Sequence, residues 1–205
     1  AGDAMTVVNM FSVPLIHYEI ANWHIAKKKI LDALPEECPE HADPQDEGLF
    51  TDFFLTSAAG VTEMPDYSET VIDIIEPYLA DFSDRAKVQL TDMWYQKYYK
   101  GVQHSFHNHG HSGWSSIIYV EFDHKKHEAT RFISPFNNVW NGNLEMYTPP
   151  VREGDMVIFP STLAHEAPPN KSDTRRTIVS YNLQGHVETV KATLFEDGGL
   201  PKVRK

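Results

Sequence analysis

The sequence predicts a mainly β protein, an antiparallel sandwich or barrel, with a helical N-terminal region packed against it. Three observations carry that expectation. Six short runs rich in β-branched and aromatic residues recur at roughly ten-residue spacing from Val88 onward. Turn residues punctuate them, and no helical run lies between them. Helical spacing of apolar residues is confined to the chain before residue 87.

Taken in order, residues 11–18 (FSVPLIHY) read as a short strand, restricted by Pro14 to a sheet edge. Asn22 is the expected N-cap of a helix running to about Leu34, with Trp23, Ile30 and Leu31 on its apolar side. Pro35 and Pro39 stop it, and Glu36–Glu47 reads as an acidic loop. Ser68 is placed to cap the next helix, where Val71, Ile74, Ile75, Tyr78, Leu79 and Phe82 share one face. Pro77 inside that pattern predicts a kink or an early end. The β-runs then follow: VQLTDMWYQKYY, WSSIIYVEF, ATRFIS, LEMYT, DMVIFP and RRTIVSYNLQG. No linker composition separates the halves. Residues 1–205 therefore read as a single domain: 1–87 a helical support region, 88–186 the β core and 187–205 a C-terminal tail.

Composition narrows the function classes. With 41% apolar and 12% aromatic residues the chain can bury a full core, so wholesale disorder is excluded. A net charge of −11 disfavours a nucleic-acid partner, which needs a cationic face; Lys27–Lys29 and Lys125–Lys126 read as solvated faces. No apolar run reaches the length of a membrane span and no signal-peptide pattern opens the chain, so a soluble protein without membrane partners is expected. The single cysteine, Cys38, excludes intrachain disulfides and cysteine-based metal sites, which fits a reducing, cytoplasmic compartment. Oligomeric state is not legible.

Histidine is the distinctive residue type. Of eleven, four (His104, His107, His109 and His111) fall within eight residues. In a strand, His107 and His109 would point to one face about 6.6 Å apart, close enough to converge on one ion about 2.1 Å from each nitrogen. A third ligand must come from elsewhere, and His165, after the run MVIF and the Pro160 turn, is the best placed. His104 and His111 are alternatives. His17, His24, His41, His124, His127 and His186 read as exposed or structural. Imidazole ligands alone do not choose among zinc, copper, nickel, iron and manganese.

Arg175-Arg176 opens the last run. By alternation Arg176, Ile178, Ser180 and Asn182 share one face, and Arg175, Thr177, Val179 and Tyr181 share the other. An arginine inside a barrel is costly unless it meets an anion, and its planar fork suits a carboxylate. Beside a metal site, such an arginine reads as the anchor of a carboxylate co-substrate.

These residues carry a resemblance. His-x-His, then Ser115-Ser116-Ile117-Ile118-Tyr119, then EGDMVIFPSTLAH ending in His165, then Arg176 and Ser180–Asn182 resemble the Fe(II)/2-oxoglutarate-dependent oxygenases, specifically an uncharacterised branch with an HxH…H…R pattern. The match runs from about Trp94 to Asn182. It implies a double-stranded β-helix (jelly-roll or cupin-like) core. His107 and His165 would be metal ligands, with His109 where most of the superfamily has Asp or Glu. The usual triad of two histidines and one carboxylate would here be three histidines, or two histidines and a water. Tyr119 and Arg176 would hold the 2-oxoglutarate carboxylates, with Ser180 and Asn182 lining the same pocket. Trp94, Tyr98, Phe106 and Trp114 flank the motif as pocket wall or core.

The implied reaction consumes molecular oxygen and 2-oxoglutarate, releases succinate and CO2, and hydroxylates a C–H bond of a peptidyl (for example prolyl) or small-molecule substrate. A cupin-type metalloenzyme is the nearest rival. Gly101 stands five residues before His107-x-His109, as in the first cupin motif, and Gly154, Pro160 and His165 match most of the second. The motif glutamate is missing, since Gly113 and Trp114 stand there, and Thr162 replaces the expected glycine. A barrel acting only as a binding module is the other alternative.

Overall fold

A computed structural model describes residues 12–37, 39–56 and 64–185. The proposed tail, His186 and Cys38 lie outside the described residues. Among the described residues, ten strands form two antiparallel sheets. The major sheet holds six strands in the order β1 (Ile16–Glu19), β8 (Asp155–Pro160), β5 (Trp114–Glu121), β10 (Arg176–Gly185), β3 (Val88–Tyr98) and β2 (Phe50–Thr51). The minor sheet holds four: β4 (His104–His107), β9 (His165–Ala167), β6 (Arg131–Asn137) and β7 (Leu144–Tyr147). The chain crosses repeatedly between the sheets, so successive β-runs end up far apart in sheet order. This is the double-stranded β-helix expected.

Period-two alternation sorts each major-sheet strand into two cores. On one face Ile118, Val120, Met156, Ile158, Val179 and Tyr181 pack against the helices. On the other, Ile117, Tyr119, Val157, Phe159, Ile178 and Tyr98 fill the barrel with Phe132 and Ala167 of the minor sheet. Two helices cover the outer face. α1 (Trp23–Ala33) buries Ala26 and Ile30. The long helix α3 (Ser68–Ala86) buries Val71, Ile75 and Phe82, and a short α2 (Phe53–Thr56) precedes it.

Several local expectations shift. Asn22 does precede α1, but its side chain makes no cap. It sits in the left-handed region (φ 51°) and its carbonyl accepts the N–H groups of Ile25 and Ala26. Ser68 is the first helical residue rather than the cap, a role that falls to Tyr67. Pro77 does not end α3 early, because the helix continues to Ala86. Its ring sits on the exposed side, so the cost is one missing N–H in the ladder while the buried face stays continuous. The first strand starts after Pro14, and it does lie at a sheet edge, as β1. The N-terminal third also supplies the opposite edge strand, β2, so the helical support region is woven into the major sheet.

Candidate metal centre

The histidines meet where the two shortest site-bearing strands pair. His107 at the end of β4 and His165 at the start of β9 are Cα partners. Their ring centroids are 4.3 Å apart. His109 lies two residues beyond β4, in the following loop rather than on the strand. Its N–H donates to Ser161 O (2.9 Å), and Ser161 N–H donates to Gly113 O (3.0 Å), so the loop is fastened to the end of β8. Gly113 is required there. Its φ is +88°, and a Cβ would sit 2.6 Å from Leu183 O. The His109 ring stacks on His165 (5.1 Å, 6°) and on Trp94 (5.2 Å, 20°). The candidate ligand nitrogens of His107, His109 and His165 all lie within 4.8 Å of one another.

Their surroundings leave a ligand nitrogen free on at least two rings. His107 Nδ1 donates to Ser105 O (2.7 Å) and His165 Nδ1 donates to Leu163 O (2.9 Å), which turns each Nε2 towards the cluster. Burial lowers all three imidazoles below the ordinary histidine range. His109 falls to about 3, helped by its histidine neighbours. They are therefore neutral near pH 7, the state in which imidazole ligates a metal.

Beneath β4 lies support that the sequence reading did not assign. Asp46 accepts Ser105 N–H (3.1 Å) and Ser105 Oγ–H (2.6 Å), while Ser105 O holds His107. The acidic loop is thus partly internal, with Asp43 and Asp46 both buried. His104 stands beside His107 (4.0 Å between centroids), bonded through Nδ1 to Gln96 Nε2 (2.9 Å), with Nε2 3.9 Å from Asp46. His111 is exposed and outside the cluster. His41 bonds Tyr95, His17 pairs with Asp155, and His127 bridges Asp123 N–H and Thr174 O. His24 and His124 are exposed.

Strand alternation in β10 runs as expected. Arg175 faces outward to Glu121 (2.8 Å) and Glu37 (3.2 Å). Arg176 is 2% exposed. Its guanidinium donates to Glu128 O (2.8 Å) and Pro168 O (2.9 Å) and lies 4.2 Å from the Tyr98 ring centroid. Among the described residues no carboxylate pairs with it, and burial pushes its pKa down. The Tyr98 hydroxyl is buried without a hydrogen-bond partner among the described residues. Burial also pushes that hydroxyl up, which keeps its proton. Tyr119 Oη lies 3.4 Å from Thr130 N–H in the same core.

A narrow cavity lies beside these groups, lined by His107, His109, His165, Ser180, Thr130 and Tyr98 among others; Arg176 and Tyr119 stand behind that lining rather than in it. Its free volume is about 20 Å³, room for one water. His104, His107, His109 and Gln96 also border an outer cleft of about 770 Å³. Asn182 lines this outer cleft rather than the inner cavity, tied to Asp92 (3.0 Å) and to Ser115 Oγ (2.7 Å). Of the flanking aromatics, Trp94 and Tyr98 contact the site, Phe106 is half exposed and Trp114 packs on Phe82.

Comparisons with known proteins bear on the family and the fold. Residues 92–182 match the family model described as "Putative 2OG-Fe(II) oxygenase". No curated protein matches the chain. Among solved structures, a prolyl-4-hydroxylase from Pseudomonas putida is similar at 10% identity and TM-score 0.58, covering 85% of this chain and 94% of its own. HygX from Streptomyces hygroscopicus, with nickel, 2-oxoglutarate and hygromycin B bound, is similar at 12% identity and TM-score 0.59, covering 85% and 84%. The epimerase SnoN, in complex with Fe3+, alpha ketoglutarate and nogalamycin RO, is similar at 12% identity and TM-score 0.57, covering 93% and 89%. At such identities the likeness establishes a shared fold. Among the described residues, no helix is long and apolar enough to cross a membrane.

Proposed function

We propose that this chain, whose residues 92–182 match a 2OG-Fe(II) oxygenase family model, is an Fe(II)- and 2-oxoglutarate-dependent oxygenase acting on a C–H bond of a peptidyl or small-molecule substrate. The observation that carries the reading is the buried Arg176, with no carboxylate ion pair among the described residues, on the face of β10 whose Ile178 and Ser180 line the cavity of the three neutral imidazoles. A buried guanidinium satisfied only by backbone carbonyls and an aromatic face suits a carboxylate ligand. A cupin-type enzyme has no fixed use for that arrangement.

The donor set fits the metal. Three neutral nitrogens on one side, with no carboxylate in the cluster, suit a borderline divalent ion such as Fe(II) and leave its other positions open. When bound, iron with the oxo acid supplies the oxidative chemistry, with succinate and CO2 as products. The protein's residues do the rest. His107 and His165, fixed by their Nδ1–H bonds, would present Nε2 to the ion, and His109 would complete the face, held by its stacking on Trp94 and His165. Arg176 would receive the distal carboxylate. The proton-bearing, unpartnered Tyr98 hydroxyl would donate to it, with Ser180 in the same cavity wall and Tyr119 in the core behind.

A five-carbon dicarboxylate exceeds the present free volume, so its entry must displace wall side chains. Gln96 and His104, joined by one 2.9 Å hydrogen bond at the wall shared with the outer cleft, are the residues proposed to move. The buried core around Ile117, Ile178 and Phe159 would keep water from the reacting centre. The single cysteine fits a reducing, cytoplasmic working compartment.

Succinate release from 2-oxoglutarate, measured with and without added Fe(II), tests the proposal. Iron-dependent release that is lost in His107→Ala supports it; iron bound stoichiometrically with no affinity for 2-oxoglutarate would contradict it.

A further inference from the structure

The outer cleft differs in electrostatic character from the inner cavity. The lining of the inner cavity carries no carboxylate. The outer cleft is lined by two carboxylates, Asp43 and Asp92, and its described lining contains no lysine or arginine. Both acids are held by neutral donors. Asp43 accepts the N–H groups of Gln45 (2.7 Å) and Asp46 (3.1 Å), and Asp92 accepts Thr91 Oγ1–H (2.8 Å) and Asn182 Nδ2–H (3.0 Å). Among the described residues neither has an ion-pair partner, so their charge stands uncompensated at the cleft. Hydrogen bonds from neutral groups hold a carboxylate in place without cancelling its field.

One wall of the same cleft is aromatic and leads to the histidines. Phe54 meets Phe53 edge-on (5.2 Å, 87°), Phe53 meets Trp94 edge-on (5.1 Å, 72°), and Trp94 stacks on His109. Aromatic surface beside fixed negative charge attracts organic cations, which gain both Coulomb energy and contact with the negative faces of the rings. An anion in the same space meets two like charges and no counter-charge.

We infer that the outer cleft selects a substrate bearing an organic cation, an alkylammonium or guanidinium group, which Asp43, Asp92 and the Phe53–Phe54–Trp94 wall would hold against the histidine cluster. As a statement about substrate class it rests on the oxygenase reading; as a statement about binding it does not. Small amines and the lysine side chain of a peptide share this chemistry.

The test is calorimetric titration of the protein, both metal-free and loaded anaerobically with Fe(II) and 2-oxoglutarate. Three probes are used: benzyltrimethylammonium, benzenesulfonate, and an acetylated, amidated Gly-Lys-Gly peptide. Saturable binding of a cationic probe is expected, with none of the sulfonate. Asp92→Asn should weaken the cation about tenfold, as loss of one nearby charge at a partly solvated site does. Rising salt should weaken wild-type binding in parallel, a readout that needs no variant.

Tighter binding of the peptide would identify a side-chain substrate, and tighter binding of the free ammonium a small molecule; both support the inference. Sulfonate binding as tight as the cation's, or cation affinity unaffected by salt and by Asp92→Asn, would overturn it. Failure of the oxygenase reading is separable: 2-oxoglutarate would then not bind the Fe(II) protein, whatever the cation does in the metal-free one.

Discussion

His107 and His165 are directly opposed across the antiparallel β4–β9 pair, their ring centroids 4.3 Å apart. Cross-strand partners keep their spacing through the backbone hydrogen bonds of the sheet, so these two rings are placed by the fold itself. His109 depends instead on loop anchoring and ring stacking. The centre is therefore built as a rigid pair plus a held third.

That asymmetry ranks the histidines. His165→Ala should abolish stoichiometric Fe(II) binding, measured by equilibrium dialysis under argon. His109→Ala should weaken binding and leave a measurable affinity. Equal affinity in wild type and His165→Ala would contradict the proposed ligand set.

Arg176 links stability and binding in opposite senses. Its charge is buried without a carboxylate, so Arg176→Met should leave the melting temperature unchanged or raised, since apolar replacement of a poorly paired buried charge is often neutral or stabilising. The same change should weaken 2-oxoglutarate binding by about 2–5 kcal/mol, as loss of a buried charged partner does. A variant that melts early and binds the oxo acid normally would reverse both halves of the argument.

The Asp46–Ser105–His107 chain gives a further outcome. Asp46→Asn keeps the shape and an acceptor oxygen but removes the charge that, through Ser105, sits behind His107. Fe(II) affinity should fall about tenfold or more, the usual cost of losing support behind a ligand. Dialysis of the two proteins side by side reads it, and an unchanged affinity would reduce Asp46 to a loop residue.

Pro77 offers a test away from the site. It interrupts the hydrogen-bond ladder of α3 on the exposed face without contributing to the buried one. Pro77→Ala should stabilise the protein, by up to about 3 kcal/mol on helix propensity. Urea denaturation measures it, and destabilisation would mean that the ring fixes the helix direction.

The sequence made the sheet-forming runs legible because each buries alternate residues, and alternation survives in the pattern of residue types. β4 and β9, which carry His107 and His165, escaped that reading. They are four and three residues long and largely polar, so only their histidines mark them. Alternation alone put Arg175 and Arg176 on opposite faces of β10, and the histidines nearby pointed to Arg176 as the inward one. What alternation could not show is which residue lies across the sheet. Tyr98 is the Cα partner of Arg176, and only that register reveals a hydroxyl left unbonded beside a guanidinium. Asp43 and Asp46 were hidden for a related reason. Charges in a loop read as solvated, and their burial comes from strand β4 and Leu49 folding over them. Asn182 shared the expected face, but six residues of strand carry it past the inner cavity to the outer cleft.

The central claim is that this centre chelates 2-oxoglutarate on iron with Arg176 behind it. Anaerobic titration of the Fe(II)-loaded protein with 2-oxoglutarate tests it most directly, by the weak visible charge-transfer band that bidentate chelation of a 2-oxo acid produces. The account predicts a saturable band in the wild type and its loss in Arg176→Met at the same oxo-acid concentration. A fully iron-loaded wild-type protein that shows no band at saturating 2-oxoglutarate would contradict it.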